Sequence, residues 1–435
     1  MKGAVLGIFL AGLTACVLTG ATILWALLLG LLCFSAYALH LGHAPRAVGT
    51  MLLTGVRKVS NILLIFCLIG MLTAIWRAAG TIPLIIRDTL PWVDPASFYL
   101  SVFILCSLMS LLLGTSFGTV STLGVIFMLL ARTAGLHEGL TAGAIMSGIY
   151  VGDRCSPMSS SAALVCALTN TNIYDNIRRM WRTGVTPFLL AGLGYKLLSP
   201  SGAAACVDSG VAGQLDAWFR LSGWALLPAA AIVALSLFRV EVKRAMTCSI
   251  LAGCGVCLFL QDMPPSDLLS CLLWGYRPPE GAEMLAGGGI LSMRMVAGIV
   301  LLSSSYAGIF DATGLLRGFE EGIRRMADKW GVFRATAAVS IPVSAISCNQ
   351  TLATILTDQL CRLLATTRQE RAIHLENSVI LIAALVPWSI ACSVPCATLG
   401  VGMECLPYAL YLYLVPVLNG LARENRTPVA VPGRS

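Results

Sequence analysis

The sequence predicts an all-α, polytopic membrane protein of roughly ten to twelve transmembrane helices in two repeated halves, on three observations. Hydrophobic residues make up 57% of the 435 positions and charged residues only 11%, under half the roughly 25% of soluble proteins; mean hydropathy is +0.83. Apolar runs recur along the whole chain. Polar and small residues interrupt those runs at corresponding places in the two halves. So few charges cannot coat a globular surface of this size, which excludes a soluble enzyme, a disordered chain and a collagen-like one.

Taken in order, the first half carries apolar runs near residues 4–19, 21–39, 60–76, 97–114, 139–151, 160–168 and 185–199. The second half carries them near 221–238, 246–260, 295–310, 332–347, 377–393 and 405–421. A straight crossing needs about 20 apolar residues, and several runs fall short of that. Each span is expected to be helical, because hydrocarbon cannot satisfy an open strand edge. The chain starts with Lys2, an apolar stretch and Leu13-Thr14-Ala15-Cys16, a pattern close to a lipoprotein cleavage site. A second apolar run follows at once, so this start reads as a retained signal anchor. Charge collects between runs, at Arg57 and Lys58, at Arg178, Arg179 and Arg182, and from Arg239 to Arg244, with a net of +8. Basic loop ends beside a bilayer account for that excess, so the expected partner is lipid and not nucleic acid. The sixteen cysteines are scattered as small hydrophobes, and Cys254-Gly-Val-Cys257 lacks the βαβ setting of a redox pair.

The two halves match each other. Ile75-Trp-Arg-Ala-Ala-Gly-Thr81 aligns with Ile309-Phe-Asp-Ala-Thr-Gly-Leu315 at an offset of 234. Gly114-Thr-Ser-Phe-Gly-Thr119 aligns with Ile346-Ser-Cys-Asn-Gln-Thr351 at 232, and Gly152 to Ser161 with Ala384 to Ser393. The chain divides into a first half at 1–200, a connecting segment at 201–220, a second half at 221–422 and a polar tail at 423–435. Duplicated halves whose hydrophobic segments break at matching places point to secondary transporters. An unwound helix at membrane depth carries backbone groups that lipid cannot satisfy, so it must line a protein cavity. The site is therefore expected at 115–119, 152–161, 348–351 and 387–395.

Asp153 is the first candidate there, flanked by Gly152 and Pro157, which favour a break. A carboxylate at bilayer depth costs about 2.5–3.5 kcal/mol on insertion scales, so it should be paired, protonated or bound to a cation. The bland alternative is an Asp153–Arg154 neighbour pair at a helix end. Desolvation favours the neutral acid and a bound cation the charged one, so one group can hold a proton or a metal ion in turn. If only the neutralised forms cross, competition becomes exchange. Hard cations want oxygen ligands, and Thr115, Ser116, Thr119, Ser156, Ser159, Ser160 and Ser161 offer hydroxyls, with Asn349, Gln350 and Thr351 opposite. Each hydroxyl can equally bond its own backbone, and Gly114-x-x-x-Gly118 is also a helix-packing signature. Glu320, Glu321 and Asp328 read as a solvated loop, and Asp358 as a cavity-mouth residue; Arg77 and Asp311 occupy equivalent repeat positions. No nucleotide loop or HExxH pattern occurs, so neither catalysis nor a resident cofactor is expected; Na⁺ and H⁺ would be cargo.

At these residues the sequence resembles the NhaC family of sodium/proton antiporters. Gly114-Thr-Ser-Phe-Gly-Thr119, Gly152-Asp-Arg-Cys-Ser-Pro-Met-Ser159, Cys348-Asn-Gln-Thr-Leu-Ala353 and Val386-Pro-Trp388 look like that family's landmark motifs. Trp76 to Pro83 is similar to its Trp-x-Ala-Ser-Gly-x-x-Pro stretch. The resemblance implies a multi-pass exchanger of the bacterial cytoplasmic membrane, a homodimer, and two inverted repeats with re-entrant hairpins, broken helices and elevator-type transport. Related carriers exchange malate for lactate or move amino acids. Family members often read Gly-Asp-His-x-Ser-Pro-x-Ser-Asp-Thr; here Arg154 stands for the His and Ser160 for the second Asp. One negative charge is lost and one positive gained. The expected function is Na⁺/H⁺ antiport with Asp153 as shared acceptor. The alternative is Na⁺- or H⁺-coupled transport of a small carboxylate or amino acid, held bidentately by Arg154.

Overall fold

In a computed structural model the described residues are 2–19, 22–57, 60–89, 94–199, 216–238, 240–279, 285–313, 320–362, 364–365 and 367–422. Among them the chain is mainly helical, with one isolated antiparallel bridge, Tyr276–Gly287, and no strand. The apolar start forms helices at Lys2–Thr19 and Leu24–His40. The connecting segment 201–220 is described only from residue 216, and the tail 423–435 lies outside the described residues.

Among the described residues three helices are long and apolar enough to cross a bilayer unaided: Ser116–Thr133, Val242–Phe259 and Ile290–Phe310. Two bent pairs, Pro45–Arg57 with Ile62–Ala78 and Arg368–Leu385 with Ile390–Leu399, raise this to five. The other apolar helices are 10–17 residues long, so length by itself does not reach ten crossings. Large apolar side chains point outward, among them Phe259 (87% exposed), Leu197 (75%) and Trp25 (70%). In water such faces would drive aggregation; against hydrocarbon they are the expected lipid-facing surface. Buried side chains form two clusters. One centres on residues 66–151 and 381–415, and the other joins the first 48 residues to 306–380.

Four helix breaks organise the interior. The Phe98–Leu113 helix ends at Gly114, which is left-handed at φ 68°, and extended Thr115 caps the next helix. Gly is required at 114, since a Cβ there would sit 2.5 Å from the Met158 Cβ. In the second half, Val332–Ser347 ends at left-handed Cys348 (φ 53°), and extended Asn349 caps Gln350–Cys361. Gly114 and Cys348 stand 234 apart, the offset of the Ile75 and Ile309 motifs, so the register at this break differs by two from the 232 alignment. The other two breaks contain Pro157 and Pro387, and Ser159 and Ser389 cap the helices that follow, Ser160–Thr169 and Ile390–Leu399. Proline cannot donate to the preceding turn, so each helix stops there. This second pair is offset by 230.

Within each half the two breaks touch. Gly114 packs on Met158, while Ile390 N donates to Cys348 O (2.9 Å) and Trp388 Nε1 to Ala345 O (2.7 Å). In the second half the unwound segments thus satisfy part of one another's backbone, as irregular chain at membrane depth must.

Candidate functional site

Asp153 lies on the last turn of the Glu138–Cys155 helix and is 4% exposed. The helix runs this deep because Gly148 and Gly152 let it press against Phe98–Leu113: a Cβ on Gly152 would lie 2.0 Å from the Ser110 carbonyl carbon. Asp153 Oδ2 accepts from Gln350 Nε2 at 3.1 Å and from Ser161 Oγ at 3.2 Å. Gln350 Nε2 also donates to Ile380 O (2.9 Å), and Ser161 Oγ lies 3.2 Å from Gln350 Oε1. A hydroxyl has one proton, so Ser161 serves only one of those acceptors at a time. Asp153 therefore sits where a broken helix of each half meets the other. One turn earlier Tyr150 makes a second such link, donating to Ala391 O at 2.5 Å.

Asp153 Oδ2, Ser161 Oγ and Gln350 Oε1 form a compact set of oxygens of the kind hard cations accept. The other expected ligands are distributed differently. Ser159 Oγ caps its helix, accepting from Ser161 N and Ala162 N and donating to the Asp153 carbonyl. Ser156 Oγ donates to Leu111 O (2.8 Å), tying the two breaks of the first half. Thr115 Oγ1 accepts from Gly118 N, and Thr119 Oγ1 donates to Thr115 O, which is the local backbone role open to any membrane Ser or Thr. Ser116 is buried beside the Tyr150 hydroxyl. Asn349 caps through Thr351 N, while the side chains of Thr351 and Ser160 are exposed. Among the described residues, Gln350 and Ser161 are the expected ligands whose side chains are hydrogen-bonded to the Asp153 carboxylate.

Arg154 has a separate set of partners and is fully buried. Its guanidinium donates to Tyr411 Oη (3.0 Å), Thr183 Oγ1 (2.9 Å), Met180 O (3.2 Å) and Asn377 Oδ1. Gly184 leaves room for it, since a Cβ there would lie 2.6 Å from Nη1. These acceptors are all neutral. They occupy both terminal nitrogens and leave Nε–H without a hydrogen-bond partner.

Several acids differ from the sequence reading. Asp358 is 6% exposed and ion-paired with Arg371 (2.9 Å). Arg77 is buried and donates to Ala286 O, while the Asp311 side chain lies outside the described residues. Glu376 is fully buried on the Arg368–Asn377 helix, although the stretch Arg368-Gln-Glu-Arg-Ala-Ile-His-Leu-Glu376 reads as a solvated one. Its one sequence signal is position, immediately before the apolar run that opens at 377. The sequence carries no signal for the Val120–Gly124 π-turn; such turns concentrate at functional sites, and this one packs on the Ile390–Leu399 helix.

The sequence is similar to those of known transporters. The sequence pattern of the Na⁺/H⁺ antiporter family matches residues 1–165 and 148–419. The chain is 27% identical over 409 residues to the Na(+)/H(+) antiporter NhaC of Bacillus subtilis, covering 90% of each. It is 26% identical over 368 residues to the protein of that name from Alkalihalophilus pseudofirmus, covering 82% of this chain and 80% of that one. It is also 24% identical over 432 residues to the Malate-2H(+)/Na(+)-lactate antiporter of Bacillus subtilis, covering 96% and 92%. The chain belongs to the Na⁺/H⁺ antiporter family.

Proposed function

We propose that this member of the Na⁺/H⁺ antiporter family exchanges a small cation, Na⁺ foremost, for protons across the bacterial cytoplasmic membrane, with Asp153 as the acid whose charge the two neutralise in turn. Cation/proton antiport is supported by the family match and by the two NhaC relatives. One observation carries the role of Asp153: a buried carboxylate bonded to Ser161 of its own half and Gln350 of the other, where two broken helices meet. Three oxygens at that point can replace part of a cation's hydration shell. When the cation leaves, the acid cannot stay charged at membrane depth and takes a proton. In this reading the short apolar helices complete ten to twelve crossings in two inverted repeats with re-entrant hairpins. The site moves across the bilayer in elevator fashion, and the chain works as a homodimer and not as an enzyme.

Coupled transport of an organic acid is a second reading, favoured by the 24% identity to the malate/lactate carrier. The geometry of Arg154 counts against it, because both terminal nitrogens are already engaged by protein acceptors. The deciding experiment uses purified protein in proteoliposomes. An imposed Na⁺ gradient should drive proton movement, read by an internal pH dye, and Asp153→Asn should abolish it in protein that still elutes as a folded species. Unchanged flux in that variant would remove Asp153 from the mechanism. Flux that requires malate or lactate would favour the second reading.

A further inference from the structure

We propose that Arg371 is a positioning residue of the cation site. It clamps the far ends of the two helices whose first turns carry Ser161 and Gln350, and so sets the spacing of those ligands around Asp153 and the ion they prefer; this rests on the antiport reading above. The 160–169 and 350–361 helices pack side by side, and both pack on the 368–377 helix. They start together: Ser161 Oγ lies 3.2 Å from Gln350 Oε1, and both side chains are bonded to Asp153 Oδ2. From there they run the same way for roughly 10–12 Å, at 1.5 Å per residue. They also end together. Arg371 Nη2 donates to Leu168 O at 2.5 Å, and Arg371 Nε stands 2.9 Å from Asp358 Oδ1. The two side chains are only 14% and 7% exposed, so this is not the loose surface pair that contributes little.

Two parallel helices need such a tie. Each C-terminal end carries about half a negative charge, and Asp358 in the last turn of its helix adds a full one. A guanidinium between them offsets that repulsion. Its planar fork meets a carbonyl and a carboxylate at once, which the point charge of a lysine does not. Packed interiors transmit displacement, so a shift at the clamp reaches the ligands at the other end. A hard-cation site selects by the spacing and number of its oxygens, and Arg371 therefore acts on ion preference through Ser161 and Gln350 without touching the ion. The other half holds a counterpart that separates this role from plain stability. Arg132 Nη2 donates to Leu399 O and Gly400 O, both at 3.1 Å, and pairs with Glu138 at 2.8 Å. It closes the 390–399 helix, the equivalent of 160–169, so each half sends an arginine to the end of the other's helix. Among the described residues no side chain of 390–399 is bonded to Asp153, and its tie to the 138–155 helix is the Ala391 carbonyl that accepts from Tyr150.

The test reads proton movement driven by Na⁺ and by Li⁺ in proteoliposomes of wild type, Arg371→Gln and Arg132→Gln, each titrated to half-saturation with both ions. Arg371→Gln should raise the Na⁺ requirement about tenfold, the lower end of what outer partners of metal ligands cost. It should also shift the ratio of the Na⁺ to the Li⁺ requirement, because a loosened set of oxygens no longer fits the two ions as before. Arg132→Gln loses a similar helix-end contact and ion pair, and should keep the wild-type ratio whatever it does to rate or thermal stability. An unchanged ratio in Arg371→Gln overturns the proposal, and so does an equal shift in both variants, which would make it a general consequence of a freed helix end. Where Arg371→Gln gives no folded protein, Asp358→Asn decides. It keeps the size of the side chain and removes the charge that holds the arginine, so the ratio should move the same way by less, and a wild-type ratio there overturns the proposal as well. Absence of Na⁺-driven proton movement in the wild type overturns instead the antiport reading beneath it.

Discussion

Replacing Gly152 by alanine would put a methyl carbon 2.0 Å from the Ser110 carbonyl carbon, 2.2 Å from its oxygen and 2.3 Å from its Oγ. Carbon atoms pack at about 3.5–4.0 Å, so the 98–113 and 138–155 helices must separate by more than an ångström at this point. The obstacle is backbone, which cannot swing aside as a side-chain tip can. Such overpacking typically costs about 1–3 kcal/mol. Separation also breaks the Ser110 Oγ bond to Ile149 O, another ~1 kcal/mol. Against this stands a gain of up to about 1 kcal/mol from Ala over Gly in a helix. The net expectation is a destabilisation of about 1–3 kcal/mol, from the terms just given. Gly255→Ala is the control, because a Cβ there meets nothing within 4 Å and only the propensity gain applies. Thermal unfolding in detergent should place Gly152→Ala well below wild type and Gly255→Ala at or above it. A Gly152→Ala midpoint equal to wild type would refute the close helix contact that seats Asp153.

Arg154→Met removes the buried donor to Tyr411, Met180, Thr183 and Asn377 and leaves those acceptors unpaired, a loss of about 1–3 kcal/mol; thermal unfolding in detergent should show a lowered midpoint, and an unchanged one would deny these bonds. Ser160 and Ser161 are adjacent but should behave oppositely: Ser160→Ala leaves the sodium requirement of transport unchanged and Ser161→Ala raises it. Equal effects would mean that the hydroxyl at Asp153 has been misassigned. Gln350→Ala removes the link between the halves at Asp153, so it should weaken Na⁺-dependent thermal stabilisation more than Asn349→Ala, whose side chain only caps a helix.

Much of the architecture is local and therefore readable. Helix breaks are written in residues that cannot propagate a helix or that cap one: Gly114 with Thr115, Pro157 with Ser159, Asn349 after Cys348, and Pro387 with Ser389. Backbone preferences of single residues impose these stops wherever the chain later goes. The same holds for the all-helical membrane class, which follows from composition, and for Asp153 as an acid amid apolar runs. The repeat was visible too, though its register at the breaks, 234 and 230, shifted from the 232 that matching letters suggested. Short apolar motifs align with themselves at several registers, and only backbone geometry singles out one.

Partners across the chain were not readable. A helix turns about 100° per residue, so which of Ser160 and Ser161 meets Asp153 depends on how the 160–169 helix is rotated by its neighbours. Arg154 looked like a surface charge or an anion ligand, yet its acceptors lie at 180, 183, 377 and 411. Glu376 was hidden most completely, because its neighbours Glu370, Arg371 and His374 give that helix the pattern of a solvated one. Its burial is set by helices from both halves closing over one face, a long-range packing outcome that no local pattern encodes. The amino-acid order alone determined where the helices break and that an acid lies between them. Tertiary packing alone decided that Glu376 and Arg154 are buried as well.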